Sequence, residues 1–408
     1  MCPFKSSVMS SIPGHRKLHL LLLGTILLGY SVYLFLLYYA PSTSLALSPV
    51  NSRQQTEQVK SVIPNKSNNV VPNKRIDVVQ SKSNDVVPNK SNDVIPNKCN
   101  DIVSNRSNDD VITLLMWTWP SEKRGELNWC SSRYNIEGCF ITPDRNFYNK
   151  ADGVIFHHQY IHKNGSNLPK LCRPVFQKWI WLNGESPTRS VRIPMIENLF
   201  NLTSNYRQDS KIPVPYGVLV PADGKEEFVL PRKNKLVCWI VSNWKPTYAR
   251  VKYFNEFKKH IKVNTYGSAF GVHISRKEYL STITSCKFYL GFENSIDRDY
   301  ITEKFYNPLS VGTVPVVLGP PRHNYENVIQ GDAFIHVDDF SSPKELADHL
   351  LLLDKNEEMY LRFFEWKRYF KVRRIFFLTE HVCVICEYLR KHKEYQTLSK
   401  FGEWYWEN

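Results

Sequence analysis

Short apolar runs, each ending in polar residues, alternate with helical patterns along most of the chain. Such alternation predicts parallel sheets whose two faces are covered by helices. The runs form two groups separated near residues 225–235, so we expect an α/β protein with two doubly wound domains facing a cleft. The predicted strands cover residues 111–120, 151–158, 176–183, 236–243, a segment near Val263, 287–292, 313–318 and 333–338. The predicted helices cover residues 246–260 and 301–311.

A further helix is predicted to begin at Ser342. The sequence Ser-Pro-Lys-Glu that starts there combines an N-cap serine, a proline at the first helical position and a capping-box glutamate, Glu345. The start of this helix is therefore defined by local chemistry.

The N-terminal region contains a long apolar segment. Leu18–Ala40 carries no charged side chain and is long enough to cross a hydrocarbon core of about 30 Å. Lys5, Arg16 and Lys17 precede it without an acidic residue, which favours a cytosolic tail over residues 1–17. A cleaved signal peptide is the competing interpretation, but the run is longer than a typical h-region and no small-x-small site follows directly. We therefore expect an uncleaved transmembrane signal anchor of type II at residues 18–40, with the rest of the chain in a lumen.

A low-complexity repeat follows the anchor. Residues 62–109 consist of six octads, VIPNKSNN, VVPNKRID, VVQSKSND, VVPNKSND, VIPNKCND and IVSNRSND. Each octad offers little apolar area to offset the ordering of the chain. A β-helix is one interpretation, and an extended, proline-punctuated stem over residues 41–110 is the one we adopt.

The chain has nine cysteines, and six of those in the predicted globular region make three bridges possible, with fifteen pairings. These six are Cys130, Cys139, Cys238, Cys286, Cys383 and Cys386. Cys383 and Cys386 have the spacing of half a zinc site, but no second such pair completes it. Disulfides in an oxidising lumen are the better interpretation. Sequons that lumenal enzymes could glycosylate occur at Asn65, Asn89, Asn105, Asn164 and Asn201.

The net charge of +14 is compatible with nucleic acid, an anionic membrane or a phosphorylated substrate. No zinc-finger spacing, aromatic RNA-binding box or long Lys/Arg run supports a nucleic-acid partner. We therefore expect no nucleic-acid binding.

The most informative stretch for chemistry lies in the second half of the chain. Residues 288–295 read FYLGFENS, residues 299–304 read DYITEK and residues 312–320 read GTVPVVLGP. Ligands of open α/β sheets bind beyond the carboxyl ends of strands, and a helix N-terminus there favours an anion such as diphosphate. From spacing alone, Glu303 and Lys304 are more typical of a solvated helix pair than of a ligand clamp.

These motifs resemble the signature of the α1,3-fucosyltransferases of glycosyltransferase family 10. The similarity extends from about residue 112 to the C-terminus and includes WIWLNGESP at 179–187, LVCWIVSNW at 236–244, ARVKYFNE at 249–256 and DAFIHVDDF at 332–340. The sequence looks most like the vertebrate enzymes that make the Lewis x trisaccharide.

The resemblance implies a GT-B fold in which two Rossmann-like domains face a cleft. It places an acceptor-binding domain at residues 111–230, a GDP-fucose-binding domain at 231–380 and a C-terminal tail at 381–408 that packs back on the first domain. It further implies inverting transfer of L-fucose from GDP-β-L-fucose to the 3-OH of GlcNAc in lactosamine-type glycans of glycoproteins or glycolipids. The location implied is the Golgi membrane, and a homodimer is compatible with such an anchored enzyme.

The resemblance also assigns the site residues. Glu185 would be the base, projecting into the cleft where partial burial could raise its pKa. Arg250 and Lys304 would contact the diphosphate as a fork and a point charge. The remaining donor-site positions are Tyr300, Glu303, Asn294, Ser242, Asn243 and Tyr266.

No obligatory cofactor follows from the resemblance, and a divalent cation would at most be stimulatory. Asp297-Arg298-Asp299 has the form of a metal-binding DxD triplet, but the family is not built around one, so no metal is assigned there. The family's cysteine pattern pairs Cys130 with Cys383, Cys139 with Cys386, and Cys238 with Cys286. Cys172 is extra to this pattern, and we expect it to remain a thiol.

The chain departs from the family at the acceptor site. Where members usually have a cation or tryptophan and an acid after two histidines, this chain has His157-His158-Gln159-Tyr160. An amide and a phenol must change the acceptor contacts, so the sequence leaves the preferred acceptor and the choice between α1,3 and α1,4 linkage open. A catalytically impaired member that binds glycan or GDP in the Golgi is the alternative function.

Overall fold

A computed structural model of the chain describes residues 111–118, 129–224, 228–329 and 331–407. The predicted anchor at Leu18–Ala40 and the predicted stem lie outside these ranges. Within them, no helix has both the length and the apolar character that a membrane span needs.

Six parallel strands form the first sheet, in the order β2-β1-β3-β4-β5-β6. These strands are β1 (Ile112–Thr118), β2 (Cys139–Thr142), β3 (Gly153–His157), β4 (Lys178–Leu182), β5 (Leu202–Asn205) and β6 (Ile212–Pro213), and α1 (Trp129–Tyr134) lies between β1 and β2. The central strands β3 and β4 are buried along their whole length, as expected of a parallel sheet covered on both faces.

Five parallel strands form the second sheet, in the order β12-β11-β10-β8-β9. Its strands are β8 (Lys235–Ile240), β9 (Val263–Tyr266), β10 (Cys286–Phe292), β11 (Val314–Leu318) and β12 (Ile335–His336). Its helices are α2 (Ala249–Phe257), α3 (Arg276–Thr284), α4 (Glu303–Ser310), α5 (Arg322–Glu326), α6 (Pro343–Lys355) and α7 (Glu357–Arg362). The described part of the chain is thus an α/β protein with two parallel sheets, as the alternating pattern predicts.

Several elements lie outside the two sheets. β7 (Gly217–Pro221) pairs antiparallel with β13 (Phe370–Arg374), and α8 (Thr379–Lys391) follows β13. Short 3₁₀ helices cover Arg145–Lys150, His158–Tyr160, Pro187–Arg189, Pro194–Ile196, Ser268–Phe270, Val337–Asp339 and Glu365–Arg368, and a π-helical turn covers Glu403–Glu407.

The C-terminal residues cover both faces of the first sheet. On one face, Val382, Ile385 and Leu389 of α8 join the same buried cluster as Leu114 of β1. On the other face, Phe401 and Tyr405 pack with Trp181 and Phe156. The last part of the chain therefore completes the core of a sheet formed by its first part.

Three disulfides occur among the described residues, in the pairs that the resemblance implies. Cys130–Cys383 and Cys139–Cys386 tie α8 to α1 and β2, across sequence separations of 253 and 247 residues. Cys238–Cys286 joins β8 to β10. The Cys383/Cys386 spacing thus reflects one helix that carries two bridges rather than a metal site.

Cys172 is also disulfide-bonded. The expectation that it remains a thiol is therefore wrong. The family pattern could not assign this bridge because Cys172 is not one of the six cysteines of that pattern.

Capping decides where the predicted helices begin. The helix predicted at 301–311 starts only at Glu303, because Thr302 is its N-cap and accepts from Lys304 N at 3.4 Å. At α6 the Ser342 hydroxyl accepts from Glu345 N at 3.2 Å, as predicted. The Glu345 carboxylate, however, accepts from Ser341 N at 2.8 Å, one residue before the N-cap. In the predicted capping box it would accept from the backbone N–H of Ser342 itself.

One predicted glycosylation position is inaccessible. Asn201 is buried, its Oδ1 accepts from Trp179 N at 2.8 Å, and its Nδ2 donates to Gln396 O at 2.7 Å. Asn164 is exposed. The expectation that Asn201 serves as a glycan acceptor therefore conflicts with its structural role, while Asn65, Asn89 and Asn105 lie outside the described residues.

Candidate active site

A cavity of about 370 Å³ lies where loops of the two sheets meet. Its walls come from the segments after β3 and β4 of the first sheet and after β8 and β10 of the second. They are formed by His158, Gln159, Ile161, Lys163, Asn183, Glu185, Arg189, Ser190, Val191, Ile193, Asn243 and Asn294. Each of these segments follows the carboxyl end of a parallel strand, the position at which open α/β sheets bind ligands.

Glu185 lies in this cavity wall, two residues beyond the asparagine that ends the apolar run of β4. The expected partial burial is wrong, because the residue is exposed at the mouth of the cavity. The loop itself is held firmly: Tyr216 Oη donates to Gly184 O at 2.6 Å, and Asn183 Oδ1 accepts from Glu185 N at 3.2 Å. A side chain at Gly184 would overlap the Phe377 ring, so the chain must pass close to that ring to place Glu185 where it is.

Tyr300 connects Glu185 to the second sheet. Its hydroxyl lies 3.3 Å from Glu185 Oε2, and its ring packs against Tyr206 with centroids 5.0 Å apart. Burial, followed by the neighbouring Tyr216 and Glu293, raises the pKa of Tyr300 well above its usual value. The phenol therefore stays protonated and donates to the Glu185 carboxylate.

Arg250 is a buried cation at the start of α2. Its guanidinium donates to Asn243 O and, at 3.3 Å, to Phe292 O. These two hydrogen bonds join the segment after β8 to the end of β10. Burial lowers the pKa of Arg250 and the Glu293 carboxylate opposes this, but arginine remains charged throughout the physiological range.

Lys304 lies in a cluster of carboxylates at the first turn of α4. Its Nζ is 3.2 Å from Glu293 Oε2, 3.0 Å from Glu303 Oε1 and 2.9 Å from Thr302 Oγ1. Burial alone would lower the pKa of Lys304, but the charges of Glu293 and Glu303 outweigh burial and raise it. The ammonium therefore stays charged across the physiological pH range, and its side chain is 20% exposed.

Glu293 is the residue in this cluster that the sequence did not assign. It is fully buried after β10 and accepts from Thr302 N at 2.8 Å and Thr302 Oγ1 at 2.8 Å. Burial raises the pKa of Glu293, while Lys304 and these donors favour the charged form. Its place at the start of the FENS motif was the available signal, but nothing in the spacing reveals that it orients Lys304.

The four predicted acceptor residues are divided between core and surface. Trp181 Nε1 lies 3.2 Å from His158 Nδ1 and can only donate, so Nδ1 is the acceptor. The neutral His158 ring therefore carries its proton on Nε2, which donates to Val191 O at 3.0 Å. Burial lowers the pKa values of His157 and His158 to about 4. His157 lies outside the cavity wall, whereas Gln159 lines the cavity and Tyr160 is exposed beside it.

The predicted donor residues do not all line the same cavity. Asn243 and Asn294 belong to its wall. Tyr266, at the end of β9, instead borders a separate cavity of about 390 Å³ with His273 and Glu278, and Ser242 borders neither of the two.

The Asp297-Arg298-Asp299 triplet is used for structural contacts. Asp297 accepts from Thr188 Oγ1 at 2.9 Å, Asp299 accepts from Asn324 Nδ2 at 2.6 Å, and Arg298 pairs with Asp209 at 3.3 Å. No cluster of three or more potential metal-ligating side chains occurs in the described ranges.

Hydrogen bonds between the loops after β4 and β10 join the two sheets at the cavity. Ser186 Oγ lies 2.6 Å from Ser295 Oγ, and Arg189 Nη2 donates to Asn294 O at 2.8 Å. Sequence reasoning missed Arg189, although it also stacks over the Tyr248 ring at 4.0 Å. A contact to a backbone oxygen more than a hundred residues away leaves no mark in a single sequence.

Two family models match this chain. Residues 109–217 match the model for the fucosyltransferase N-terminal domain, and residues 230–404 match the model for the C-terminal domain of glycosyltransferase family 10 (fucosyltransferase). Both models are those of glycosyltransferases, so the class of protein is a glycosyltransferase. The chain belongs to glycosyltransferase family 10, the fucosyltransferases, as the sequence motifs indicate.

Curated relatives cover most of the chain. The 4-galactosyl-N-acetylglucosaminide 3-alpha-L-fucosyltransferase 9 of Mus musculus is 50% identical over 294 residues, which are 72% of this chain and 82% of that protein, and the Homo sapiens protein gives the same values. The Homo sapiens fucosyltransferase FUT5 is 43% identical over 300 residues, 72% of this chain and 80% of its own. A solved "alpha1,3-Fucosyltransferase with GDP-fucose" aligns with a TM-score of 0.43 and 17% identity, covering 62% of this chain and 81% of that one.

Proposed function

We propose that this enzyme transfers L-fucose from GDP-β-L-fucose to the 3-OH of GlcNAc in lactosamine-type glycans, with inversion, in a GT-B arrangement. The observation that carries the proposal is the cavity in which Glu185 of one half faces Asn243 and Asn294 of the other. The curated relatives support it, because they are named as 3-α-L-fucosyltransferases acting on a galactosyl-N-acetylglucosaminide.

The chemistry requires one base and one site for negative charge. The Glu185 carboxylate accepts the proton of the acceptor O3 as that oxygen bonds to C1 of fucose. The bond between C1 and the phosphate oxygen breaks, and its electron pair leaves on GDP. The attack on the face opposite the phosphate inverts the β-linkage to α, and the proton on Glu185 then passes to water.

The leaving diphosphate is received by fixed cations. Arg250 presents a planar fork, and the Nε–H of its buried guanidinium has no hydrogen-bond partner among the described residues. Lys304 presents an ammonium that stays charged across the physiological pH range. Cations that are already oriented stabilise charge that develops on the diphosphate without further reorganisation. We therefore propose that no metal is obligatory, with a divalent cation at most stimulatory.

The acceptor enters from the side of Gln159. This amide lines the cavity near His158, whose ring is held neutral by burial and by its two hydrogen bonds. The amide of Gln159 and the neutral ring of His158 suit the hydroxyl groups of a sugar. Gln159 and the exposed Tyr160 are therefore proposed to set acceptor preference.

The proposed location is the Golgi membrane, with a single type II anchor and a lumenal catalytic region. Three disulfides within the described residues support a lumenal site, because such bonds persist in oxidising compartments. The apolar segment Leu18–Ala40 supports the anchor.

The function is tested by incubating the detergent-solubilised full chain with GDP-fucose and either type 1 or type 2 lactosamine. We expect product from type 2 acceptor with fucose α-linked to O3 of GlcNAc, established by linkage and anomeric analysis. GDP binding without any fucosylated product would favour the impaired glycan- or GDP-binding alternative instead.

A further inference from the structure

The C-terminal segment 401–407 lies directly beneath the loop that carries Glu185. Phe401 and Tyr405 pack edge-on against the buried Trp181 ring of β4, with ring centroids 4.9 and 4.6 Å away. Both are buried. The support of the loop thus comes from the far end of the chain.

The Tyr405 hydroxyl is the centre of a small hydrogen-bond network around Glu185. It donates to the backbone oxygen of Glu185 and accepts from Asn183 Nδ2 at 3.0 Å. The other end of the Asn183 amide accepts from Glu185 N at 3.2 Å. Both backbone polar groups of Glu185 are therefore fixed, and its side chain is left to face the cavity.

The following residue fixes the other end of the same loop. Trp406 Nε1 donates to Ser190 O at 2.9 Å, and Asn183 Nδ2 donates to Ser190 Oγ at 2.7 Å. The segment is itself anchored, because the buried Arg207 guanidinium donates to Trp404 O. The loop that carries Glu185 and the segment 401–407 are therefore connected by several hydrogen bonds as well as by packing.

Tyr405 cannot contact a substrate bound in the cavity. It is fully buried and is not part of the cavity wall, whereas Glu185 is. Burial raises the pKa of Tyr405, so the hydroxyl keeps the proton that it donates to Glu185 O. Any effect on the reaction must pass through the backbone of Glu185.

We propose that Tyr405 is a positioning residue for Glu185, whose hydroxyl fixes the backbone from which the carboxylate reaches the acceptor. This inference rests on the proposed role of Glu185 as the base. Base catalysis depends on placing the carboxylate within hydrogen-bond reach of the acceptor hydroxyl, and small displacements of reacting groups cost large factors in rate.

The test is Tyr405→Phe, which removes one oxygen and keeps the ring against Trp181. We expect kcat to fall roughly ten-fold while KM for GDP-fucose and the affinity for GDP stay at the parental values. The matched control is Tyr360→Phe, which removes a hydroxyl that donates to Lys287 O at 3.2 Å in the other half of the molecule. The control should leave kcat unchanged.

A double-mutant cycle separates positioning from general support. If Tyr405 acts through the base, Tyr405→Phe lowers turnover in the parental enzyme but adds no further loss to Glu185→Gln. An equal loss in both backgrounds, or a parental kcat for Tyr405→Phe, would overturn the inference. Should Glu185→Gln itself turn over at the parental rate, the proposed function fails first, so the two failures are distinguishable.

Discussion

At Lys304, one ammonium meets two carboxylates and a hydroxyl within 3.2 Å. The cluster is not the solvated helix pair that spacing favours for Glu303 and Lys304, and their role as a ligand clamp stays a prediction. A solvated surface pair would not include the fully buried Glu293. The carboxylates keep Lys304 charged, and the Thr302 and Glu293 contacts restrict where that charge can point.

Replacing Glu293 with Gln should make donor use sensitive to alkaline pH. The raised pKa of Lys304 keeps its charge present below that pKa, and the charge is lost as pH rises through it. Without the Glu293 charge, burial lowers this pKa. kcat/KM for GDP-fucose should therefore begin to fall at a lower pH in Glu293→Gln than in the parent.

The control for this change is Glu358→Gln, which removes an exposed partner of Arg362 at 2.8 Å. Profiles of kcat/KM against pH should superimpose for the control and the parent. An unshifted alkaline limb in Glu293→Gln would show that Glu293 does not set the charge of Lys304.

The sequons Asn164 and Asn201 should differ in occupancy. A glycan on Asn201 would remove an amide hydrogen bond and could not be accommodated at a buried position, whereas Asn164 is exposed. Glycopeptide mass spectrometry of protein expressed through the secretory pathway should therefore find Asn164 modified and Asn201 unmodified. Substantial occupancy of Asn201 in active enzyme would contradict the packing described here.

At the scale of elements, periodicity located most strands of the two sheets, because fully buried parallel strands are nearly continuous apolar runs. β2, β5 and β6 were missed because they are short. β5 also contains polar residues such as Thr203, whose hydroxyl finds its partner Ser210 Oγ, at 3.0 Å, only after folding. The β7–β13 pair was missed as well. Its two strands are far apart in sequence, and their pairing depends on tertiary contacts that local pattern does not record.

The two disulfides of α8 should stabilise the fold non-additively. Each alone closes a loop of about 250 residues, but when one bridge is intact the other closes only the short segments 130–139 and 383–386. Loop-closure entropy then predicts a loss of about 3 kcal/mol for removing either bridge and about 8 kcal/mol for removing both.

Denaturant unfolding of Cys→Ser variants at Cys130/Cys383, at Cys139/Cys386 and at all four positions measures this difference. Removal of Cys238–Cys286, which closes a separation of 48 residues, is the reference for an independent bridge. Losses that simply add would show that α8 is not held by the two bridges jointly.

At the scale of the molecule, the motifs identified residues of the cavity wall on both sides, including Glu185, Asn243 and Asn294. They could not show how these residues are held. Tyr405 reaches Glu185 through a backbone oxygen, and Arg189 reaches Asn294 the same way, so neither interaction requires a particular residue type at the other end. Exposure of Glu185 was mispredicted for a related reason, because a polar residue after a buried strand can end inside or at the mouth of a cleft.

The site works as a unit because the two halves are joined at the loops that carry it. The Ser186–Ser295 and Thr188–Asp297 hydrogen bonds hold the loop after β4, which carries Glu185, against the loop after β10. Tyr300 extends from the donor half to the Glu185 carboxylate itself. These contacts place Glu185 of one half and Asn294 of the other in the wall of the same cavity.

The most direct measurement compares turnover and GDP affinity in Glu185→Gln. An amide of the same shape cannot take a proton, so kcat for fucosyl transfer should fall by a factor of roughly 100 or more while GDP binds with nearly parental affinity. Fucosylation by the Gln variant at the parental rate would contradict the assignment of Glu185 as the base and, with it, the account of how this cavity works.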